Sequence, residues 1–141
     1  MNDMGTNYYL YDRSPCPTCG REYNRMHIGK CSLGWYFALH VMPEEGIHDL
    51  ADWEALWARD GAYIEDEYGR RVSELQMRET ITERDTGKTW GELRARPPML
   101  YDSWAVFHRE NDSEEGERGL LRRRDKPHGD GTYDLVEGEF S

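Results

Sequence analysis

An α+β fold is predicted by three features of the chain. Short segments with strand-type composition interleave with two amphipathic helical patterns, and no regular strand–helix–strand rhythm connects them. Residues of the AVILMFWYC set make up only 37% of the 141 positions, against 33% charged. Such a chain builds a small core, and a staple such as a metal ion is expected to help hold it. Aromatic residues, at 12%, offset part of the shortfall because each buried ring removes a large area from water. The expectation is one domain over 1–141, with mixed or antiparallel strands and two to three short helices. Its stretches are 1–48 (knuckle and hairpin), 49–110 (helical and strand middle) and 111–141 (acidic loop and last strand).

The first strand is expected at NYYLY, Asn7–Tyr11, which is rich in strand formers. CPTCG follows as a tight knuckle, and RMHIGK and GWYFALHV read as the arms of a hairpin around CSLG. DLADWEALWARDG is a helix: Asp49 caps it, Leu50, Trp53, Leu56 and Trp57 share one face, and Gly61 ends it. AYIEDEYGRRVS predicts two short strands around Tyr68-Gly69. Ser73 with Gln76 forms a capping box that opens a helix from Glu74 to about Arg84. DTGKTWGELRARPP reads as a loop that can hold one helical turn, stopped by Pro97. Then come a strand at SWAVFH, an exposed loop at RENDSEEGERG, and a last strand within GTYDLVEGEF that Gly138 weakens.

Cys16 to His40 supplies five metal-ligand candidates where a tetrahedral site takes four. Cys16 and Cys19 stand at the spacing of structural zinc knuckles. Pro17 presets the turn and Gly20 tolerates positive φ. If Leu33-Gly34 form a two-residue turn, Cys31 faces Tyr36 and His27 faces His40. Directly opposed side chains lie about 5 Å apart at Cβ, which suits two imidazoles on one ion. Cys31 lies four residues from His27, roughly 13 Å along a strand. The spacing therefore favours Cys16, Cys19, His27 and His40. The alternative replaces His40 with Cys31 and needs a turn or helix through Met26–Ser32. Four protein ligands close the ion to water, so the zinc is expected to be structural and the hairpin zinc-ribbon-like.

Net charge is −10, and the excess sits in the middle: residues 49–117 hold 18 acidic against 9 basic side chains. That field repels phosphate backbones and suits a partner with a basic surface, or serves solubility alone. No run of about 18 apolar residues predicts a membrane span. The N-terminus lacks the pattern of a secretory signal, so a cytoplasmic protein is expected, with three cysteines favouring metal over disulfide.

Other motifs carry less. TGKT (Thr86–Thr89) lacks the glycine five positions before Gly87 that a phosphate loop needs, because Thr82 stands there. Glu65, Asp66 and Glu67 can hold a hard cation or form a solvated turn. His48, His108 and His128 have no mutual spacing. Arg122, Arg123 and Arg124 can touch phosphate or neutralise the acidic loop before them. Tyr8, Tyr9 and Tyr11 can stack bases, but alternation puts Tyr9 and Tyr11 on one face, and core packing is the expected use.

The stretches CPTCGR, HIGKCSLGWYFALHV, DEYGRRVS and VEGEFS resemble a family of small bacteriophage- and prophage-encoded proteins with an N-terminal CPxCG zinc knuckle. The resemblance implies a phage origin, expression in a bacterial host cytoplasm and a zinc-binding N-terminal half. In that family serine often stands at the position of Cys31, which implies His40 as the fourth ligand. It supplies no activity, but it points to host takeover or evasion of host defence. The expected function is non-enzymatic binding or inhibition of a host nucleic-acid-handling or defence protein. Asp60, Glu65, Asp66, Glu67, Glu114, Glu115 and Glu117 are the candidate contacts, and no catalytic residue is assigned. One alternative is a metal-dependent enzyme acting on nucleic acid or a nucleotide, with Glu65 and Asp66 holding magnesium. The other is a zinc-ribbon nucleic-acid binder working through Arg122–Arg124.

Overall fold

The computed structural model describes residues 5–12, 24–32, 34–84, 102–138 and 140. They form an α+β fold with a mixed six-stranded sheet and three helices. The elements are β1 (Thr6–Asp12), β2 (Asn24–Cys31), β3 (Phe37–Val41), α1 (Leu50–Trp57), β4 (Ala62–Asp66), β5 (Arg71–Val72) and α2 (Glu74–Thr82). After them come α3 (Trp104–Asn111), β6 (Ser113–Glu115), β7 (Leu121–Arg123) and β8 (Tyr133–Glu137). The large sheet runs β5-β4-β1-β2-β3-β8, and β6 and β7 pair separately. All its pairs are antiparallel except β3 with β8. No helix among the described residues is long and apolar enough to cross a membrane.

Two-residue alternation sorts the sheet into two faces. Leu10, Ile28, Phe37, Leu39 and Ile64 point to one face, where they pack with Trp53 and Trp57 of α1 and Met77 and Ile81 of α2. That is the core. Asn7, Tyr9, His27 and His40 alternate with these residues and take the opposite face. Both helices begin as the sequence predicts. The Asp49 side chain accepts from the Leu50 amide, and Ser73 and Gln76 close their box reciprocally.

The hairpin differs from expectation by one residue. Gly29 pairs with Leu39 and Lys30 with Ala38, so partner numbers sum to 68 instead of 67. The connection is not a two-residue turn because Trp35 and Tyr36 pair elsewhere. Trp35 bridges Leu121, and the Tyr36 amide donates to the Leu121 carbonyl. A bulge then corrects the faces. Tyr8 pairs with Gly29 while Tyr9 pairs with His27, leaving Ile28 as the extra residue. Here β2 and β3 are interior strands of a larger sheet.

Two further expectations are corrected. SWAVFH is helix, not strand: the Ser103 hydroxyl accepts from the Val106 amide and opens α3. Trp104, Phe107 and His108 then meet at helical spacing, a period that six residues cannot separate from alternation. RENDSEEGERG is not an exposed loop throughout. It supplies the end of α3 and all of β6, with Ser113 buried and Glu114 opposite Arg122. The predicted loop over 85–98 lies outside the described residues.

Candidate metal centre

His27 on β2 and His40 on β3 meet on the sheet face away from the helices. Their Nδ1 atoms are 3.2 Å apart. Two nitrogens on one tetrahedral zinc stand roughly 3.3 Å apart, given Zn–N of about 2.0–2.1 Å. The same spacing is that of an N–H···N hydrogen bond, so it admits a shared ion once both Nδ1 atoms are free of protons. Phe140 lies edge-on to both rings, with centroids at 4.9 and 5.1 Å. Its apolar ring lowers the local dielectric around the imidazoles.

Each ring is held from behind. His27 Nε2 donates to Asn7 Oδ1 at 2.8 Å, and Asn7 Nδ2 donates to Glu67 Oε1 at 3.2 Å. The Asn7 backbone amide donates to the same carboxylate oxygen at 2.6 Å. His40 Nδ1 lies 3.2 Å from the His27 carbonyl, which accepts its proton when the ring carries one there. The His40 carbonyl in turn accepts from Trp53 Nε1 at 2.8 Å. Burial, then His40, Arg25 and Lys30, hold the His27 imidazole down at about 4. It is neutral at pH 7, the form that binds metal.

Among the described residues no third His, Cys, Asp or Glu joins this pair. Cys16 and Cys19, the other two predicted ligands, lie outside the described residues. Cys31 ends β2 away from the pair, with its sulfur against the Arg84 guanidinium. The alternative ligand set needed Met26–Ser32 to turn or coil into helix, whereas Asn24–Cys31 is strand.

The predicted carboxylate contacts fare differently from one another. Glu65 and Asp66 are consecutive residues of β4, so they face opposite sides of the sheet and do not converge on one cation. Asp66 is buried; it accepts from the Tyr68 and Arg70 amides and from Arg70 Nε. Glu65 faces Arg71 at 3.6 Å. Glu67 is held by Asn7. Glu114 pairs with Arg122 at 2.7 Å. Asp60, Glu115 and Glu117 are exposed. The three arginines are engaged inside the molecule as well. Arg122 meets Glu114, Arg123 lies over the Trp35 ring at 5.1 Å, and Arg124 meets Asp112 at 3.0 Å.

A separate cleft of about 680 Å³ opens on the core side of the β1–β4–β5 edge, with Tyr8, Cys31, Arg70, Gln76, Thr80 and Arg84 among its walls. Positive and negative side chains line it in equal number, Arg70, Arg71 and Arg84 against Asp66, Glu79 and Glu83. Asn7, Phe140 and Tyr9, whose ring centroid is 5.5 Å from that of His27, surround the imidazoles, and local spacing along the chain assigns neither Asn7 nor Phe140 to the site. A polar residue at the head of a strand of tyrosines was the available signal for Asn7. No family model, curated protein or solved structure matches the chain.

Proposed function

We propose that this is a small acidic binding protein of phage origin, stapled by a structural zinc ion on Cys16, Cys19, His27 and His40. It acts without chemistry of its own, by docking on a basic surface of a host nucleic-acid-handling or defence protein in the bacterial cytoplasm. The observation that carries the zinc is the 3.2 Å approach of the two Nδ1 atoms. Chain length supports the remaining ligands. Asp12 and Asn24 pair at the end of the β1–β2 ladder. Cys16 follows the first by four residues and Cys19 precedes the second by five. At roughly 3.5 Å per residue both can reach the imidazoles, three residues inside β2.

Charge supports the docking. A net −10 concentrated in the middle of the chain gives a long-range field that draws in a basic partner and is screened by salt. Asp60 and Glu117 are the exposed carboxylates through which that field is best tested. The enzyme reading loses its cation site, because Glu65 and Asp66 do not converge.

The test combines metal analysis with capture from bacterial lysate. One zinc per chain is expected, with a host protein retained at about 50 mM salt and released near 0.5 M. Asp60→Lys with Glu117→Lys is expected to weaken retention. Folded, zinc-free protein would sink the staple. Retention indifferent to salt and to charge reversal would sink the docking.

A further inference from the structure

We infer that Glu67 and Asn7 form a tautomer lock that makes Nδ1 the metal-facing nitrogen of His27. The metal half of this statement rests on the zinc reading above; the tautomer half stands by itself.

Donor and acceptor capacity fixes the tautomer. An ionised carboxylate only accepts hydrogen bonds. Glu67 Oε1 takes one from the Asn7 backbone amide, so the neighbouring Asn7 side-chain atom at 3.2 Å has to be the amide nitrogen. That settles the orientation of the Asn7 side chain and turns its carbonyl oxygen toward His27. A carbonyl oxygen also only accepts, so His27 Nε2, 2.8 Å away, has to carry the ring proton. A neutral imidazole has one proton. Nδ1 is then left with a lone pair that faces His40 Nδ1. By the same rule His40 Nδ1 carries its own ring proton toward that lone pair and the His27 carbonyl in the metal-free protein, and gives it up when an ion takes its place.

The same chain of bonds explains where the parts sit. Glu67 follows the end of β4, and its amide donates to the Asn7 carbonyl at 2.8 Å. The carboxylate and the amide are thus fastened by a reciprocal backbone contact between β4 and β1. Asn7 is buried, which excludes competing water and makes the choice of tautomer sharp. Glu67 is exposed and can be changed without opening the core. Asn7 and Glu67 are positioning residues. They touch no ion themselves, and act by presenting His27 in one protonation pattern and one ring orientation.

The experiment reads the tautomer directly, by long-range 1H–15N correlation on histidine-labelled full-length protein, with and without zinc. Zinc affinity is read in parallel against a chelator. In the wild-type protein His27 is expected as the Nε2–H form even before zinc is added. Asn7→Leu is expected to give a tautomer mixture and to weaken zinc binding about 10–100-fold. Glu67→Ala, a surface change, is expected to free the Asn7 amide and move both readouts the same way. His27 found as Nδ1–H in the metal-free wild type would overturn the lock. So would Asn7→Leu and Glu67→Ala variants that keep the wild-type tautomer. Wild-type protein that binds no zinc, yet loses its Nε2–H form in these variants, would refute the zinc staple and leave the lock standing.

Discussion

Trp53 Nε1 donates to the backbone carbonyl of His40 across 2.8 Å, in a contact closed to solvent. One bond therefore joins the most deeply buried ring of α1 to the strand residue that carries half of the imidazole pair. The core on one face of the sheet and the candidate centre on the other share a single backbone position.

Replacing this ring tests the connection. Trp53→Phe keeps an aromatic group in the core but removes the donor and part of the volume. The expected loss is about 2–4 kcal/mol, from an unmade buried bond and incomplete repacking. Urea denaturation reads it as a lower midpoint at unchanged slope. A midpoint within error of wild type would show that the bond contributes nothing.

Gly29 sits on β2 beside the bulge, paired with Leu39 of β3. A Cβ there would run into the Ala38 carbonyl and the Phe37 ring. Gly29→Ala is expected to destabilise by about 1–3 kcal/mol, because both neighbours belong to well-packed strands. The prediction is read by thermal unfolding. A variant as stable as wild type would mean that the strands separate at no cost.

High pH should loosen the attachment of β8 to α1. Tyr133 donates its hydroxyl to Asp49 Oδ1 at 2.9 Å. Burial, then that bond and the Asp49 charge, push the phenol well above its ordinary 10.0. The raised group stabilises the fold fully below pH 10, and the contribution is lost as pH climbs beyond it, when the unfolded chain ionises first. Stability is expected to fall from pH 10 upward, less steeply in Tyr133→Phe. Tyr8, raised by burial and by Asp66, should account for part of the slope that remains. Equal slopes in the two proteins would refute the assignment.

Removing zinc should cost stability in proportion to its binding. At free zinc of 100 times the dissociation constant, the ion adds about 2.7 kcal/mol. A chelator is therefore expected to lower the melting temperature, with zinc restoring it and magnesium not. His40→Ala should melt at one temperature with or without chelator. A chelator-sensitive His40→Ala would remove His40 from the ligand set.

Sequence by itself determined what neighbours along the chain can settle. Ser73 reaches Gln76 within one helical turn, Asp49 caps its own helix, and the strand at Asn7–Tyr11 follows from residue type. It also singled out His27 and His40 as a pair. It chose the wrong register, because that choice assumed a turn that Leu121, far along the chain, breaks up by pairing with Trp35 and Tyr36. SWAVFH reads as strand from sequence because six residues hold fewer than two helical turns, too few to separate the periods.

Only the tertiary structure decided the strand order, the parallel addition of β8 to β3, and the lock behind His27. Glu67 and Asn7 stand 60 residues apart in sequence, and no local spacing relates them. They meet because β4 and β1 must pair to bury Leu10 and Ile64 under the helices. The pairing that satisfies the apolar face delivers the polar contacts on the other.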